Sequence, residues 1–142
     1  MRSFKLGNAG MRGVVGVGLT VERAIDFASA FGTMVDGGNV LVGFDTRSSS
    51  NMLYHPVVSA LMGAGCRVCD AGIMPAGVIH CLTPQLEAAG GLLIGGGHQA
   101  MGWNAAIPLA PDGSYLNYIQ FQELFDIYRS HQYRQASWDG IH

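Results

Sequence analysis

Hydrophobic and polar positions along the chain follow two periods, one of a helix face and one of a buried strand. From Thr20 onward, Ala24, Phe27, Ala28, Phe31 and Val35 recur at three-four spacing, with Thr20 placed as the N-cap and Asp36-Gly37-Gly38 as the stop. Residues 39–44, NVLVGF, form a continuous apolar run, which predicts a strand covered on both faces as in a parallel sheet. A second helix is predicted over 51–64 on Leu53, Val57, Val58, Leu61 and Met62, ending at Gly65. The polar run 45–50, DTRSSS, precedes it, and Ser48, Ser49 and Ser50 read as its capping residues.

Further strands are predicted over 13–19, 67–73, 92–94 and 104–110, with residues 87–91 turning the chain into the third of these. A short helix over 75–82 has Pro75 in its first turn, where a missing N–H is harmless. Pro111-Asp112-Gly113 is a turn, and a last helix over 117–129 is built on Ile119, Leu124, Ile127 and Tyr128. Strands alternating with helices predict a three-layer α/β/α sandwich with a mixed, mainly parallel sheet. Residues 1–130 make up the predicted domain. Residues 131–142 lack any period and read as a linker or tail towards further domains absent from this chain.

Composition narrows the function. The 142 residues suit one domain, and only 13% of them are charged, against roughly 25% in an average soluble domain. That deficit predicts a surface partly covered by further domains of a parent protein or by a second subunit in a homo-oligomer. Net charge is −2 without a basic run, so no nucleic acid is expected as partner. No apolar run approaches about 18 residues and the N-terminus lacks a signal-peptide core, so the chain reads as cytoplasmic with no membrane partner. Cys66, Cys69 and Cys81 are an odd set, read as reduced thiols. Cys66 and Cys69 are three apart on a strand and face opposite ways, which argues against a shared metal. His55, His80, His131 and His142 have no partners at ligand spacing, and no metal is expected on this chain.

The stretch 90–109, GGLLIGGGHQAMGWNAAIPL, is where chemistry is expected: a buried strand delivers a triple glycine and a histidine to the surface. Gly95, Gly96 and Gly97 could offer free N–H groups as an anion nest.

Four stretches carry a resemblance. LGNAGMRG is similar to FGTDGIRG, VGFDTRSSS to VGRDTRxSS, GIMPAG to GxxPTP, and GGLLIGGGHQAMGWNAAIPLAPDG to GGIxITASHNPxxYNGIKxxxxDG. Collinear over residues 6–113, they resemble the N-terminal domain of the α-D-phosphohexomutases, the phosphoglucomutase/phosphomannomutase superfamily. The resemblance implies a phosphoserine that passes its phosphoryl group to a phosphosugar through a bisphosphate intermediate. It also implies magnesium held by aspartates of a later domain, and a lysine and an arginine that assist.

On this chain the serine position is Gly97, which has no hydroxyl, and the lysine position is Ile107, which moves no proton. Gln99 and Ala100 replace the motif's Asn and Pro, Ala9 replaces its N-terminal acidic residue, and Phe44 replaces its first arginine. His98, Asn104, Arg12, Asp45 and Arg47 are kept. The reading is therefore a domain of carbohydrate phosphate metabolism without catalytic residues of its own. It is expected to be inactive alone and to serve in phosphosugar or phosphate binding, or as an interaction module. Candidate phosphate contacts are Arg12, Arg47, Gly95, Gly96, Gly97, His98 and Asn104, with Arg47 also suited to holding the loop through carbonyls or Asp45. The alternative is the first domain of an active phosphohexomutase with a non-standard phosphate donor, and a purely structural domain is a third.

Overall fold

The computed structural model describes residues 3–142. Six strands, β1 (Phe4–Gly7), β2 (Gly10–Val14), β3 (Asn39–Phe44), β4 (Arg67–Ile73), β5 (Gly90–Ile94) and β6 (Trp103–Leu109), make one sheet in the order β1-β2-β6-β5-β3-β4. Helices α1 (Val21–Met34), α2 (Ser48–Gly63) and α4 (Tyr118–Ser130) pack on one face, and α3 (Ala76–Gln85) packs on the other. The larger core joins Phe27 and Phe31 of α1, Leu53, Val57 and Leu61 of α2 and Leu124 of α4 to Met11, Val40, Val42, Leu92 and Ile94 of the sheet. The smaller one joins Ile79 of α3 to Leu41, Leu93 and Leu109. The three-layer α/β/α sandwich is thus present, with one layer built of a single helix.

The sheet is mixed, as expected. Only β3 pairs in parallel, with β4 and with β5, whereas β1–β2, β2–β6 and β5–β6 are antiparallel. Four of the six strands, β2 to β5, nevertheless point the same way. The larger antiparallel share comes from a hairpin at the N-terminus. A strand was expected over 13–19, but the strands are β1 and β2, joined at Asn8-Ala9, and residues 16–18 form a turn closed by the Val17, Gly18 and Leu19 N–H groups, which all reach Val14 O. Gly10 permits the hairpin with φ +97, a backbone region that disfavours side chains.

Two glycines expected in a turn, Gly90 and Gly91, lie inside β5. A Cβ on Gly90 would stand 2.7 Å from the Phe31 ring, and one on Gly91 2.8 Å from Thr83 Oγ1, so these glycines let α1 and α3 close on the sheet from both sides. β4 forms an edge of the sheet, and its register against β3 shifts between Val42 and Gly43.

α1 is capped as predicted, with Arg23 N donating to Thr20 Oγ1 at 3.2 Å. α2 is not capped by a serine: it starts at Ser48, its N-cap is Arg47, and no side chain caps it. α4 starts with a capping box of Asn117 and Gln120. Its predicted anchor Ile119 is 77% exposed, because the inward face is shifted round to Phe121, Leu124, Ile127 and Tyr128. Beyond α4 the chain folds back, with Arg134 N donating to Thr33 Oγ1 and Ala136 N to Gly63 O.

Candidate functional site

The glycine loop, residues 95–102, leaves the C-terminal end of β5 and re-enters at β6 beside the segment that follows β3. Asp45 joins them. Its Oδ2 accepts Gly96 N–H at 2.9 Å, while Oδ1 accepts Arg47 N–H at 3.1 Å and the Ser50 hydroxyl. The Arg47 guanidinium then donates to the carbonyls of Trp103 (2.9 Å), Gly97 (3.3 Å) and Gln99 (3.4 Å), and its Nε lies 3.6 Å from Asp45 Oδ2. Arg47 is the loop-holding residue expected of it, with its charge directed at backbone oxygens.

Asn104 closes the network from β6. Its Nδ2 donates to Ser49 Oγ at 2.8 Å and Ser50 Oγ at 2.9 Å, and its Oδ1 accepts Ala105 N–H at 2.8 Å. Asn104 and Ser50 are both fully buried. Two of the serines read as caps, Ser49 and Ser50, are therefore struts between α2 and β6, and Asn104, a candidate phosphate contact, is enclosed in the scaffold. A serine run before a helix gives the same pattern in either role. Only the partner on β6 tells them apart.

The triple glycine divides into two parts. Gly95 N–H donates to Ala105 O at 3.1 Å and Gly96 N–H to Asp45, so neither of these two is free for the anion nest that the triple glycine could offer. A Cβ on Gly95 would lie 3.0 Å from Asp45 Oδ2, and one on Gly96 would enter the Arg47 guanidinium. These two are glycine because the bracing side chains pass over them. Gly97 differs: it has φ +53, and a Cβ there would meet nothing within 4 Å.

Beside Gly97 opens a cleft of about 380 Å³, lined by Asp45, Met74, Pro75, Ala76, Leu93, Gly95, Gly97, His98, Ile107 and Tyr115. The structure brings Gly97, His98 and Ile107 together here, and adds Met74, from the GIMPAG stretch, and Tyr115, which nothing in the sequence pattern placed at the site. Among the described residues, no lysine or arginine lines the cleft. Arg12 is on β2 opposite Ala105, and its Nε is buried without a hydrogen-bond partner among the described residues. A second, open cleft of about 360 Å³ lies on the other side of the loop, against Arg47, Ser48, Ser49, Met101, Gly102 and Trp103.

Burial pushes the Tyr54 hydroxyl and the Cys66 thiol up in pKa, the latter to about 11, and both lie in the core towards α1 and α2, away from the cleft. Among the described residues no group of three or more His, Cys, Asp or Glu is gathered, and the Asp45 carboxylate is committed to three protein donors. No helix among them is long and apolar enough to cross a membrane.

Fold and loop together define an α/β/α domain that presents a braced, glycine-rich turn at its strand ends. The phosphoglucomutase/phosphomannomutase family model, in its alpha/beta/alpha domain I, matches residues 3–134, and the chain belongs to that family. It is 33% identical over 140 residues to a phosphoglucomutase/phosphomannomutase of Thermococcus kodakarensis, covering 95% of this chain and 31% of that protein. A phosphopentomutase of the same organism is 35% identical over 141 residues, covering 99% and 30%. Among solved structures, a protein of Thermus thermophilus proposed to be a phosphomannomutase superposes with TM-score 0.83 at 22% identity, over 96% of this chain and 32% of its own. The chain thus spans about a third of the length of these relatives.

Proposed function

We propose that this chain serves as a phosphohexomutase first domain that keeps the phosphoryl-transfer loop as a scaffold and carries out no phosphoryl transfer itself. One observation carries the reading: Gly97 and Ile107, at the positions where the resemblance implies a nucleophilic serine and a lysine, face the same cleft. A glycine supplies no oxygen to take a phosphoryl group, and an isoleucine neutralises none of the charge that develops during transfer. Meanwhile Asp45, Arg47, Ser50 and Asn104 hold the loop closed.

The cleft's lining favours an interaction role over phosphosugar capture. Met74, Pro75, Leu93, Ile107 and Tyr115 offer apolar surface, and among the described residues the one carboxylate lining it is that of Asp45. Such a surface is suited to contact with a further domain or a second subunit. The test is an assay of the full-length parent protein with hexose 1- and 6-phosphates, combined with phosphopeptide mapping after incubation with a hexose bisphosphate. Absence of both turnover and phosphopeptide is expected. Turnover would overturn the reading and favour an active mutase using a non-standard phosphate donor, for which the open space at Gly97 leaves room.

A further inference from the structure

Two helices of the larger layer, α1 and α2, end side by side. Both ends turn on glycines with positive φ, Gly37 at +70 and Gly65 at +89. A side chain at either position would collide with the same group: a Cβ on Gly37 or on Gly65 would run into Nη1 of Arg134. The guanidinium therefore sits in a notch made by two glycines from different helices.

Its bonds match that placement. Arg134 Nη1 donates to Ala64 O, at the end of α2, at 2.6 Å, and its Nε lies 3.6 Å from Asp36 Oδ1, at the end of α1. Its backbone N–H donates to Thr33 Oγ1 at 2.8 Å. Two residues on, Ala136 N–H donates to Gly63 O at 2.9 Å. A helix C-terminus leaves carbonyls unpaired and carries partial negative charge, so the cation pairs a carbonyl at the end of α2 while its charge lies beside the end of α1. Upstream, Tyr133 packs against the larger core and its hydroxyl donates to Tyr128 O at 3.2 Å. Under this corner lies Cys66, fully buried, its Sγ 3.9 Å from Gly32 O.

We propose that residues 133–136 form a releasable strap, in which Arg134 locks the C-terminal ends of α1 and α2 together and closes the core over Cys66. The structural edge of the domain then falls at Ala136, six residues beyond the end of α4 at Ser130, and the chain is free to pivot only past that point. Trp138, 90% exposed, lies outside the lock. Opening the strap frees two helix ends at once, because Arg134 reaches α2 through its guanidinium and α1 through its backbone N–H and Asp36.

Cys66 reports on the lock directly. In the full chain, thiol labelling with a maleimide under native conditions should modify the exposed Cys69 and Cys81 quickly and Cys66 slowly, each site followed by peptide mass spectrometry. Arg134→Ala should speed labelling of Cys66 by roughly tenfold or more, as expected when a charge-assisted hydrogen bond that opposes local opening is lost. Trp138→Ala should leave the rate unchanged. Arg134→Lys, which keeps the charge but not the fork, should fall between. In hydrogen exchange, Arg134→Ala should raise the rates at residues 35–38 and 64–66 together. Unchanged Cys66 labelling in Arg134→Ala, or faster exchange at only one of the two helix ends, would overturn the proposal. A general loss of stability would speed exchange across the sheet as well, and that outcome also counts against a local lock.

Discussion

Asp45 Oδ2 accepts the backbone N–H of Gly96 at 2.9 Å across 51 positions of sequence, and this bond fastens the glycine loop to the segment after β3. Because the same carboxylate also accepts from Arg47 N–H and the Ser50 hydroxyl, it is the hub of the site. Asp45→Ala leaves three donors without their acceptor. The expected loss is about 2–4 kcal/mol, read as a fall in Tm of several degrees by calorimetry. Asn104→Ala should cost a comparable amount, and the double variant should lose less than the sum, since both act through Ser50. Strict additivity would show that the four side chains are not one network.

Gly96 and Gly97 are neighbours with opposite tolerances. Gly97→Ser should fold with a loss of about 1 kcal/mol, the cost of a left-handed residue in open space. Gly96→Ser must displace Arg47 and should lose roughly 3 kcal/mol or more through the broken carbonyl bonds. Denaturant titration of the two variants measures the difference, and equal losses would contradict the packing described.

On α4 the inward face can be tested by a pair of substitutions. Leu124→Ala empties a buried site and should cost about 2–4 kcal/mol, whereas Ile119→Glu should change stability by no more than about 0.5 kcal/mol. A large effect at Ile119 in chemical denaturation would mean that its side chain is covered in solution.

Alkaline pH should weaken the fold. Burial raises the Cys66 thiol from 9.0 to about 11, and burial with Asp26 nearby raises Tyr133 from 10.0 to about 12. Each group thus holds its proton more tightly folded than unfolded. Its contribution is fully present below the unfolded value and is lost as pH rises through the folded one. Unfolding free energy measured from about pH 7 to about pH 11 should stay level to about pH 9 and then decline, and Cys66→Ala should flatten the first part of that decline. A curve that rises beyond the unfolded thiol value would refute the assignment.

Much of the architecture was legible because its signals are local. Helix α1 announces itself through the spacing of Phe27 and Phe31 and the Thr20 cap, and β3 through an unbroken apolar run. The hairpin of β1 and β2 was not legible: a four-residue strand containing Lys5, followed by Asn8-Ala9, carries too little alternation to stand out. Gly90 and Gly91 misled for a different reason, since glycine signals a turn and a close helix approach equally, and only the positions of Phe31 and Thr83 decide. At the site, the motifs alone place Gly97 and Ile107 where the resemblance implies a serine and a lysine. The bracing roles of Ser50 and Asn104 could not be read there, because they depend on two segments more than fifty residues apart meeting at one hydroxyl.

The register shift between Val42 and Gly43 has a consequence for the molecule in a crowded solution. β4 lies at the rim of the sheet, with backbone groups along one side that a flat strand would offer to any passing extended chain. The shift bends that rim, Gly72 turns it again at φ +67, and Arg67 and Asp70 place opposite charges along it, both exposed. Each of these features disfavours strand-to-strand alignment of a neighbouring copy along β4, as edge strands require if they are to resist fibrous self-association.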